Sequence, residues 1–507
     1  MQGTVYLIGA GLLNAGSISK RGLDLLLSAD VVIFDRLVSP SILSRIPNGA
    51  LLIDVGKPPK GGADGQTQIH ALLEKYANEG KTVARLKSGD PFLFGRGGEE
   101  CDFLRERGIS FDVVAGVSSA TGAAAGAGIP LTKRGGASAF AAATWVKAGG
   151  EKSRLTEPLC ALLERGGTVE ILMGAACLDE IEREFLGSGI KGETPCAVVS
   201  RSGAYDEKLI LSPLLGLAEK AKNGGIEPPA AIIIGAAAAV EYTRPFRGKR
   251  IVLTRPFEKN IALFDRITGA GGEAVVCPMI EIRRKEISSE LAAALKANTT
   301  HIAFSSAEGV ESFWAAVERM GLDARAFSGI IFAAVGKKTA EGLKRHGITA
   351  DIVAKKESAE GLSDALFGKA IDEKSHEKKQ DFGGIERKKI SVLYLRAKDG
   401  YDGLSARARE CGASCTEIEA YETLPYKGVP QVLKILKKEG FSAAVFYSPS
   451  AVKNFVSEFS AELLSRVTAV CIGSATEKEA VGKGFLNVVV NGFSVDDDGI
   501  FKTLQNV

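Results

Sequence analysis

Short runs of aliphatic and β-branched residues alternate along the chain with stretches whose apolar positions recur every three to four residues. Val5–Ile8, Val31–Phe34, Leu51–Asp54, Val83–Leu86 and Phe111–Val114 read as strands. Lys20–Ser28, Gln68–Glu79 and Glu99–Arg107 between them read as helices. This order predicts an α/β fold with a largely parallel sheet. A zone rich in Gly and Ala, 116–150, then leads to strand candidates at Val169–Met173, Cys196–Ser200 and Ala230–Ile234. The rhythm restarts at Arg250–Thr254. It continues through Ala274–Cys277, His301–Phe304, Ile331–Val335, Ile352–Ala354, Val392–Leu395, Ala443–Tyr447, Ala469–Ile472 and Asn487–Val490. The second half also echoes itself. HIAFSSAEGVESF (301–313) resembles AAVFYSPSAVKNF (443–455), and FAAVGKKTAEGL (332–343) resembles AVCIGSATEKEA (469–480), which predicts two similar lobes. Residues 370–389 are charged and poor in apolar side chains, so a solvated insertion is expected there.

Composition narrows the picture. A chain of 507 residues implies three or four domains. Its 64 basic and 61 acidic residues leave a net charge of +3, which gives no global field for nucleic acid, so an anionic ligand must be met by local cations. The 59 glycines suggest many tight strand–loop–helix turns. Eight cysteines show no paired CxxC spacing and are expected to be reduced core residues, with no metal site. No signal-like leader and no run of 18 uninterrupted apolar residues are found, so no membrane span and a cytoplasmic location are expected.

In the first half, Gly9-Ala10-Gly11 follows the first strand and Asp35 ends the second, where a dinucleotide fingerprint would lie. Asn14 stands where its third glycine belongs, and a lone GxG is explained equally well by a tight turn. Longer blocks are more specific: FDRLVSP (34–40), DVGK (54–57), RLKSGDPFLFGRGGEE (85–100) and VAGVSSATGAAAGAGIPLT (114–132). Together they resemble the uroporphyrinogen-III C-methyltransferases, tetrapyrrole methylases that use S-adenosylmethionine. The resemblance covers roughly residues 1–240 and implies two α/β lobes, about 1–115 and 116–243, with the methyl donor in the cleft between them. Carried over by position, Ser88, Gly89, Asp90 and Leu93 form one donor-binding loop and Ser118 and Ser119 a second, while Met173, Ala197 and Gly235 line the remainder. Asp35 matches the family's proposed base and Lys57 its proposed proton donor. On spacing alone the same two residues are a strand-end acid and a surface lysine, and Asp90 is a turn residue before Pro91. Arg36, Arg85, Lys87, Arg96, Lys133 and Arg134 are expected on the loop side, facing a substrate with eight carboxylates. The chain departs from the family where GxGPGDP becomes Gly9-Ala10-Gly11-Leu12-Leu13-Asn14-Ala15 and where the first glycine of GGDP becomes Ser88.

After a linker at 244–248, the segment 249–507 carries VLTRP (252–256), FSSAEGV (304–310), AVGKKTAEGL (334–343), ESAEGL (357–362), VLYLRAKDG (392–400), YET (421–423), FYSPSAVKNF (446–455) and CIGSAT (471–476). This ordered set resembles uroporphyrinogen-III synthase, which implies two parallel-sheet lobes: one about 249–284 plus 422–507, the other about 285–421. The implied substrate is hydroxymethylbilane, and no cofactor is implied. Ser305, Ser306, Lys337, Thr339, Ser448, Ser450, Ser474 and Thr476 fall in loops before helices, where backbone amides meet carboxylates. Arg255 and Arg396 either bind carboxylates or cap strand ends. Tyr421 matches the candidate acid beside the leaving hydroxyl, and is equally an aromatic residue at a lobe junction. The expectation is therefore a homodimeric fusion that makes uroporphyrinogen III and methylates it to precorrin-2, with the segment from 249 active by itself. Its rivals are a synthase with a degenerate methylase lobe and an NAD-binding oxidoreductase.

Overall fold

The computed structural model describes residues 2–56, 63–146, 155–235, 244–368, 390–400, 403–426, 429–494 and 496–507. Lys57 and the charged insertion at 370–389 lie outside the described residues. The chain divides into two compact units, Met1–Met279 with Lys427–Val507, and Ile280–Tyr426.

The larger unit contains three sheets. β1 (Val5–Gly9), β2 (Val31–Phe34), β3 (Leu51–Asp54), β4 (Val83–Lys87) and β5 (Phe111–Val114) form the first, in the order β3-β2-β4-β1-β5 with every pairing parallel. Helices cover both faces of such a sheet, which is why VVIF reads as a continuous apolar run. β6 (Phe140–Thr144), β7 (Thr168–Leu172), β8 (Pro195–Ser200), β9 (Lys208–Pro213) and β10 (Ala230–Ile234) form the second, ordered β6-β7-β10-β8-β9. Only β6–β7 is parallel in it, so the expectation of largely parallel pairing fails for this lobe. β8 turns straight back as β9, and β10 enters between β7 and β8 antiparallel to both, so the helical connections through Leu178–Gly187 and Leu217–Asn223 join strands that are not neighbours.

β11 (Arg250–Leu253) and β12 (Glu273–Val276) begin the third sheet. The chain then builds β13 (Ile280–Arg284), β14 (His301–Phe304), β15 (Ile331–Ala334), β16 (Ile352–Val353), β17 (Ser391–Ala397) and β18 (Ser414–Pro425). These six make up the sheet of the smaller unit, ordered β13-β18-β17-β14-β15-β16. β19 (Ala443–Phe446), β20 (Thr468–Cys471) and β21 (Asn487–Val490) complete the third sheet, ordered β12-β11-β19-β20-β21 and parallel throughout.

Within the larger unit the first and third sheets share one apolar core. Ile8, Val32, Phe34, Val38, Ile42, Leu43 and Ile46 join Ile251, Leu253, Val275, Cys277, Val445 and Phe446 in a single buried cluster. The contact centres on the short helix Pro40–Leu43, all four of whose residues are buried. Its serines cover the open edge of β12: Ser41 Oγ donates to the Ala274 carbonyl and Ser44 Oγ accepts from Val276 N at 3.1 Å. Ser39 Oγ donates to Glu273 Oε1 at 3.0 Å, and the other oxygen of Glu273 takes Arg250 Nε at 2.8 Å. An edge strand that would otherwise offer bare N–H and C=O groups is thus closed by residues from 230 positions earlier. The sequence-based picture of two halves joined by a linker does not contain this contact.

Candidate active site

In an open parallel sheet, ligands are met beyond the carboxyl ends of the strands. In the first sheet those ends are Gly9, Phe34 before Asp35, Lys87 before Ser88, and Val114 before the 116–119 loop. Four glycines bring the loops together. Ala10 N donates to Lys87 O at 2.7 Å, and Gly11 and Gly89 exchange backbone hydrogen bonds of 3.2 and 2.8 Å. A Cβ on Gly9 would stand 2.5 Å from Gly116 N and 2.7 Å from Gly89 O, and a Cβ on Gly116 would strike Gly89 O. Gly89 itself has φ +72°, a conformation that disfavours any side chain. Its missing Cβ faces Ser119 N from 3.8 Å, so the first turn of helix Ser119–Gly126 looks onto bare backbone. Ser118 caps that helix, accepting from Ala120 N at 3.2 Å. Asp90 ties the two loops: Oδ1 accepts from Phe92 N at 2.9 Å and Oδ2 from Gly116 N at 3.0 Å. Its carboxylate is therefore a bracket inside the junction, not a charge held out to a ligand.

These contacts give a matched pair of outcomes. Gly116→Ala should destabilise the protein by about 1–3 kcal/mol, because backbone on both sides must shift. Gly98→Ala, at a helical position where a Cβ would meet nothing within 4 Å, should be neutral or stabilising by about 0.5–1 kcal/mol. Urea unfolding of the two variants beside the parent checks both, and equal effects would remove the steric argument.

The structure brings Ser88, Gly89, Asp90, Ser118 and Ser119 together but scatters the other expected cleft residues. Leu93 is exposed, with Phe92 and Phe94 beside it and Val117 on the next loop, an apolar rim around the glycine junction. Met173, with φ +55°, is exposed beyond the end of β7. β8 ends on the same side, where Leu13 N donates to Ser202 O at 3.2 Å and Asn14 Nδ2 to Gly203 O at 3.4 Å. Ala197 sits mid-strand beneath the alanines of helix Ser119–Gly126, fully buried. Gly235 is placed at the other end of the sheet, beside Gly167 and Thr168. Because β10 runs antiparallel to β7, it lies roughly 17 Å from the Met173 end, and the structure does not put it in this site.

The basic residues divide similarly. Arg36, Lys133 and Arg134 are exposed, and Arg96 is exposed but paired with Glu99 at 2.7 Å. Arg85 and Lys87, expected on the loop side, are instead buried. Arg85 reaches Asp35 Oδ1 at 2.6 Å and Glu100 Oε1 at 3.2 Å, and Lys87 Nζ reaches Glu100 Oε1 at 2.9 Å. Alternation on β4 turns both side chains to one face, where helix Gly97–Glu106 supplies Glu100. Burial, and then the neighbouring Arg85, push the Lys87 ammonium below its usual range, against the pull of Glu100 and Asp35. Glu100 was not singled out in the sequence; a glutamate in the first turn of a helix has the ordinary explanation of an N-terminal charge.

Each unit repeats one arrangement in its second-half residues. In the larger unit, Ser448 caps helix Pro449–Val456 through Ala451 N at 3.3 Å and contacts Ser450 Oγ at 3.1 Å. Ser474 opens the helix Ser474–Gly482, in which Thr476 is buried. In the smaller unit, Ser306 caps helix Ala307–Arg319 through Gly309 N at 3.1 Å, Lys337 opens helix Lys337–Arg345, and Thr339 is buried. Ser305 Oγ donates to Leu395 O at 3.1 Å. The two arginines are already engaged: Arg255 with Asp497 at 2.7 Å and stacked on Tyr447, Arg396 with Glu417 at 2.6 Å. Of the two readings of these arginines, anchoring of strand ends fits. Tyr421 is buried, and its hydroxyl lies 2.8 Å from Ser306 Oγ. Burial raises the phenol above its ordinary value, partly offset by that hydrogen bond, so it is held protonated at neutral pH.

Comparison with known proteins covers both halves. A family described as Tetrapyrrole (Corrin/Porphyrin) Methylases matches residues 4–218, and one described as Uroporphyrinogen-III synthase HemD matches residues 262–496. The chain is 33% identical over 513 residues to "Porphyrin biosynthesis protein HemD" of Ruminiclostridium josui, covering 99% of this chain and 98% of that one. It is 42% identical over 234 residues to "Siroheme synthase" of Hahella chejuensis, which covers 46% of this chain and 49% of that protein, so it spans about half the length of that relative. Among solved structures, a uroporphyrin III C-methyl transferase from Thermus thermophilus is 37% identical with a TM-score of 0.40, covering 46% of this chain and 97% of that one. Among the described residues no helix is long and apolar enough to cross a membrane, and no group of three His, Cys, Asp or Glu is placed to hold a metal ion.

Proposed function

Because the chain belongs to the family in which a tetrapyrrole methylase is fused to a uroporphyrinogen-III synthase, we propose that residues 249–507 cyclise hydroxymethylbilane to uroporphyrinogen III and that residues 1–243 methylate this product to precorrin-2 with S-adenosylmethionine. The observation that carries the methylase reading is the Gly9–Gly89–Gly116 junction with Asp35 at the end of the adjoining strand. Side chains are absent where backbone would approach a donor, and an acid stands where a proton must be received. When bound, S-adenosylmethionine supplies an electrophilic methyl group. Asp35 takes the proton that the pyrrole carbon sheds, and Lys57 remains the proposed proton donor. The apolar rim of Phe92, Leu93, Phe94 and Val117 receives the macrocycle, while Arg36, Lys133 and Arg134 meet its carboxylates. In the smaller unit, amides of the helix first turns after Ser306 and Gly336 hold carboxylates of the bilane, and Tyr421 donates to the leaving hydroxyl. A cytoplasmic homodimer joined through the first half is part of this reading.

Purified full-length protein given hydroxymethylbilane and labelled S-adenosylmethionine under anaerobic conditions should yield uroporphyrinogen III and then labelled precorrin-2. Isomer I as the only cyclic product would overturn the synthase assignment. An active synthase with neither binding of S-adenosylhomocysteine nor labelled product would make the first half a non-catalytic lobe. Tyr421→Phe should slow cyclisation by about 10²-fold or more while the melting temperature stays close to the parent's. An unchanged rate would remove Tyr421 from the chemistry.

A further inference from the structure

Four charged side chains meet at the base of the candidate methylase site, and only one of them reaches solvent. Asp35, at the end of β2, is one-third exposed, whereas Arg85, Lys87 and Glu100 are almost wholly buried. The contacts are asymmetric. Arg85 holds Asp35 through a single nitrogen on Oδ1 at 2.6 Å, and no hydrogen bond from a described residue goes to Oδ2. The rest of the guanidinium is fixed from behind by Glu100 Oε1 at 3.2 Å and by the carbonyls of Ile33 and Leu86 at 3.4 and 3.3 Å. Glu100 Oε1 also receives Lys87 Nζ at 2.9 Å and Gln66 Nε2 at 3.3 Å, while its buried Oε2 has no partner.

A buried ionic group of this kind is weak evidence for stability, since apolar side chains of similar volume often serve as well. Its geometry points elsewhere. One anchored oxygen orients the carboxylate, and the other is left without a hydrogen bond from a described residue on a side chain that reaches solvent. We propose that Arg85 is a positioning residue for Asp35, holding its carboxylate with one oxygen presented to substrate, and that Glu100 sets both the place and the effective charge of Arg85. The inference rests on the reading of Asp35 as proton acceptor.

The charges facing Asp35 fix the sign of each test. Arg85 and Lys87 come from β4, Glu100 from helix Gly97–Glu106, Asp54 from the end of β3, and Arg36 follows in the chain with its side chain exposed. Two cations and two anions balance in the four-residue group. Removing Arg85 leaves Asp35 and Glu100 against Lys87 alone, so the loss of rate on acidification should set in at higher pH. Removing the charge of Glu100 leaves two cations against Asp35, so that loss of rate should set in at lower pH.

Full-length protein and its Arg85→Met, Arg85→Lys and Glu100→Gln variants should be compared by initial rates of methyl transfer across about pH 5–9. The acid limb of kcat should move up by about one unit in Arg85→Met and down by about half a unit or more in Glu100→Gln. Arg85→Lys keeps the charge but lacks the planar fork, so its limb should return close to the parent's while its plateau rate stays roughly tenfold lower. The KM for S-adenosylmethionine should stay within about twofold throughout, because none of the four groups lies in the glycine junction. The carbon-13 carboxyl resonance of Asp35, assigned by its loss in Asp35→Asn, reads the same shifts without turnover. A parent enzyme that transfers no methyl would therefore end the reading of Asp35 as base and still leave the Arg85–Asp35 coupling measured. Should Arg85→Met fail to fold, Glu100→Gln and Arg85→Lys decide the matter. A limb and a resonance that stay at the parent's pH in Glu100→Gln, or shifts of the same sign in Arg85→Met and Glu100→Gln, would overturn the proposal.

Discussion

Expressed without the first 243 residues, the segment 244–507 should be largely insoluble or melt far below the full-length protein. This outcome reverses the expectation, natural from the sequence, that the second half works by itself. Val38, Ile42, Leu43 and Ile46 are all nearly fully buried in the core they share with β11, β12 and β19. At roughly 1.5–3 kcal/mol for each side chain, their burial contributes on the order of 6–12 kcal/mol as an upper figure. That is about the size of a whole domain's net stability, roughly 5–15 kcal/mol. Removing them also bares the edge of β12, the kind of strand that templates aggregation, and leaves Glu273 without Ser39. Soluble yield and melting temperature of the two forms provide the measurement. A truncated segment that is monomeric and melts within a few degrees of the intact chain would show that the shared core contributes little.

Asp35→Asn should lower the rate of methyl transfer by about 10²–10⁴-fold, the usual contribution of a placed acid–base group. The amide oxygen can still accept from Arg85, so the side chain keeps its place, but it cannot take up the proton that the methylated pyrrole carbon must lose. Binding of S-adenosylhomocysteine, which the proposed function assigns to the backbone at Gly9, Gly89 and Gly116, should change by no more than about twofold. The second half supplies an internal control, since cyclisation of hydroxymethylbilane in the same preparation should be unaltered. Labelled methyl incorporation within threefold of the parent would assign the proton to another acceptor.

Much of the architecture was legible because strands linked by helices are written as short aliphatic runs between helical patterns, at the edges of a sheet as well as in its buried centre. Val31–Phe34, Leu51–Asp54, Phe111–Val114 and Asn487–Val490 fall where the pattern put them. The strands that were missed lack that signature. β6 is mostly alanine inside a Gly/Ala-rich zone, and β9 turns straight back from β8 with no helix between. β13 and β18 alternate charged with apolar side chains, so their runs are broken. The internal echo proved structural: Ser306 and Ser448 cap equivalent helices, as do Ser358 and Asp496, and Gly336 and Gly473 hold equivalent extended positions before theirs.

The candidate site was legible in part for a related reason. A loop that must pass between backbones needs small residues in fixed order, so the 85–100 and 114–132 blocks identify their own junction, and with it the family. What each charge does was not written there. Arg85 and Lys87 look like any loop-side cations until alternation on β4 turns them inward onto Glu100. Gly235 looks like a cleft residue until antiparallel pairing carries it to the opposite end of its sheet. Ser39, Ser41 and Ser44 look like surface polar residues until β12, 230 positions later, lies against them. Sequence by itself determined the elements, the order of the two halves and the residue types of the junction, because those depend on local periodicity and on backbone sterics within a few residues. Tertiary structure alone decided which charges are buried and paired, and that the first half completes the core of the second, because those depend on strand direction and on contacts between segments far apart in the chain.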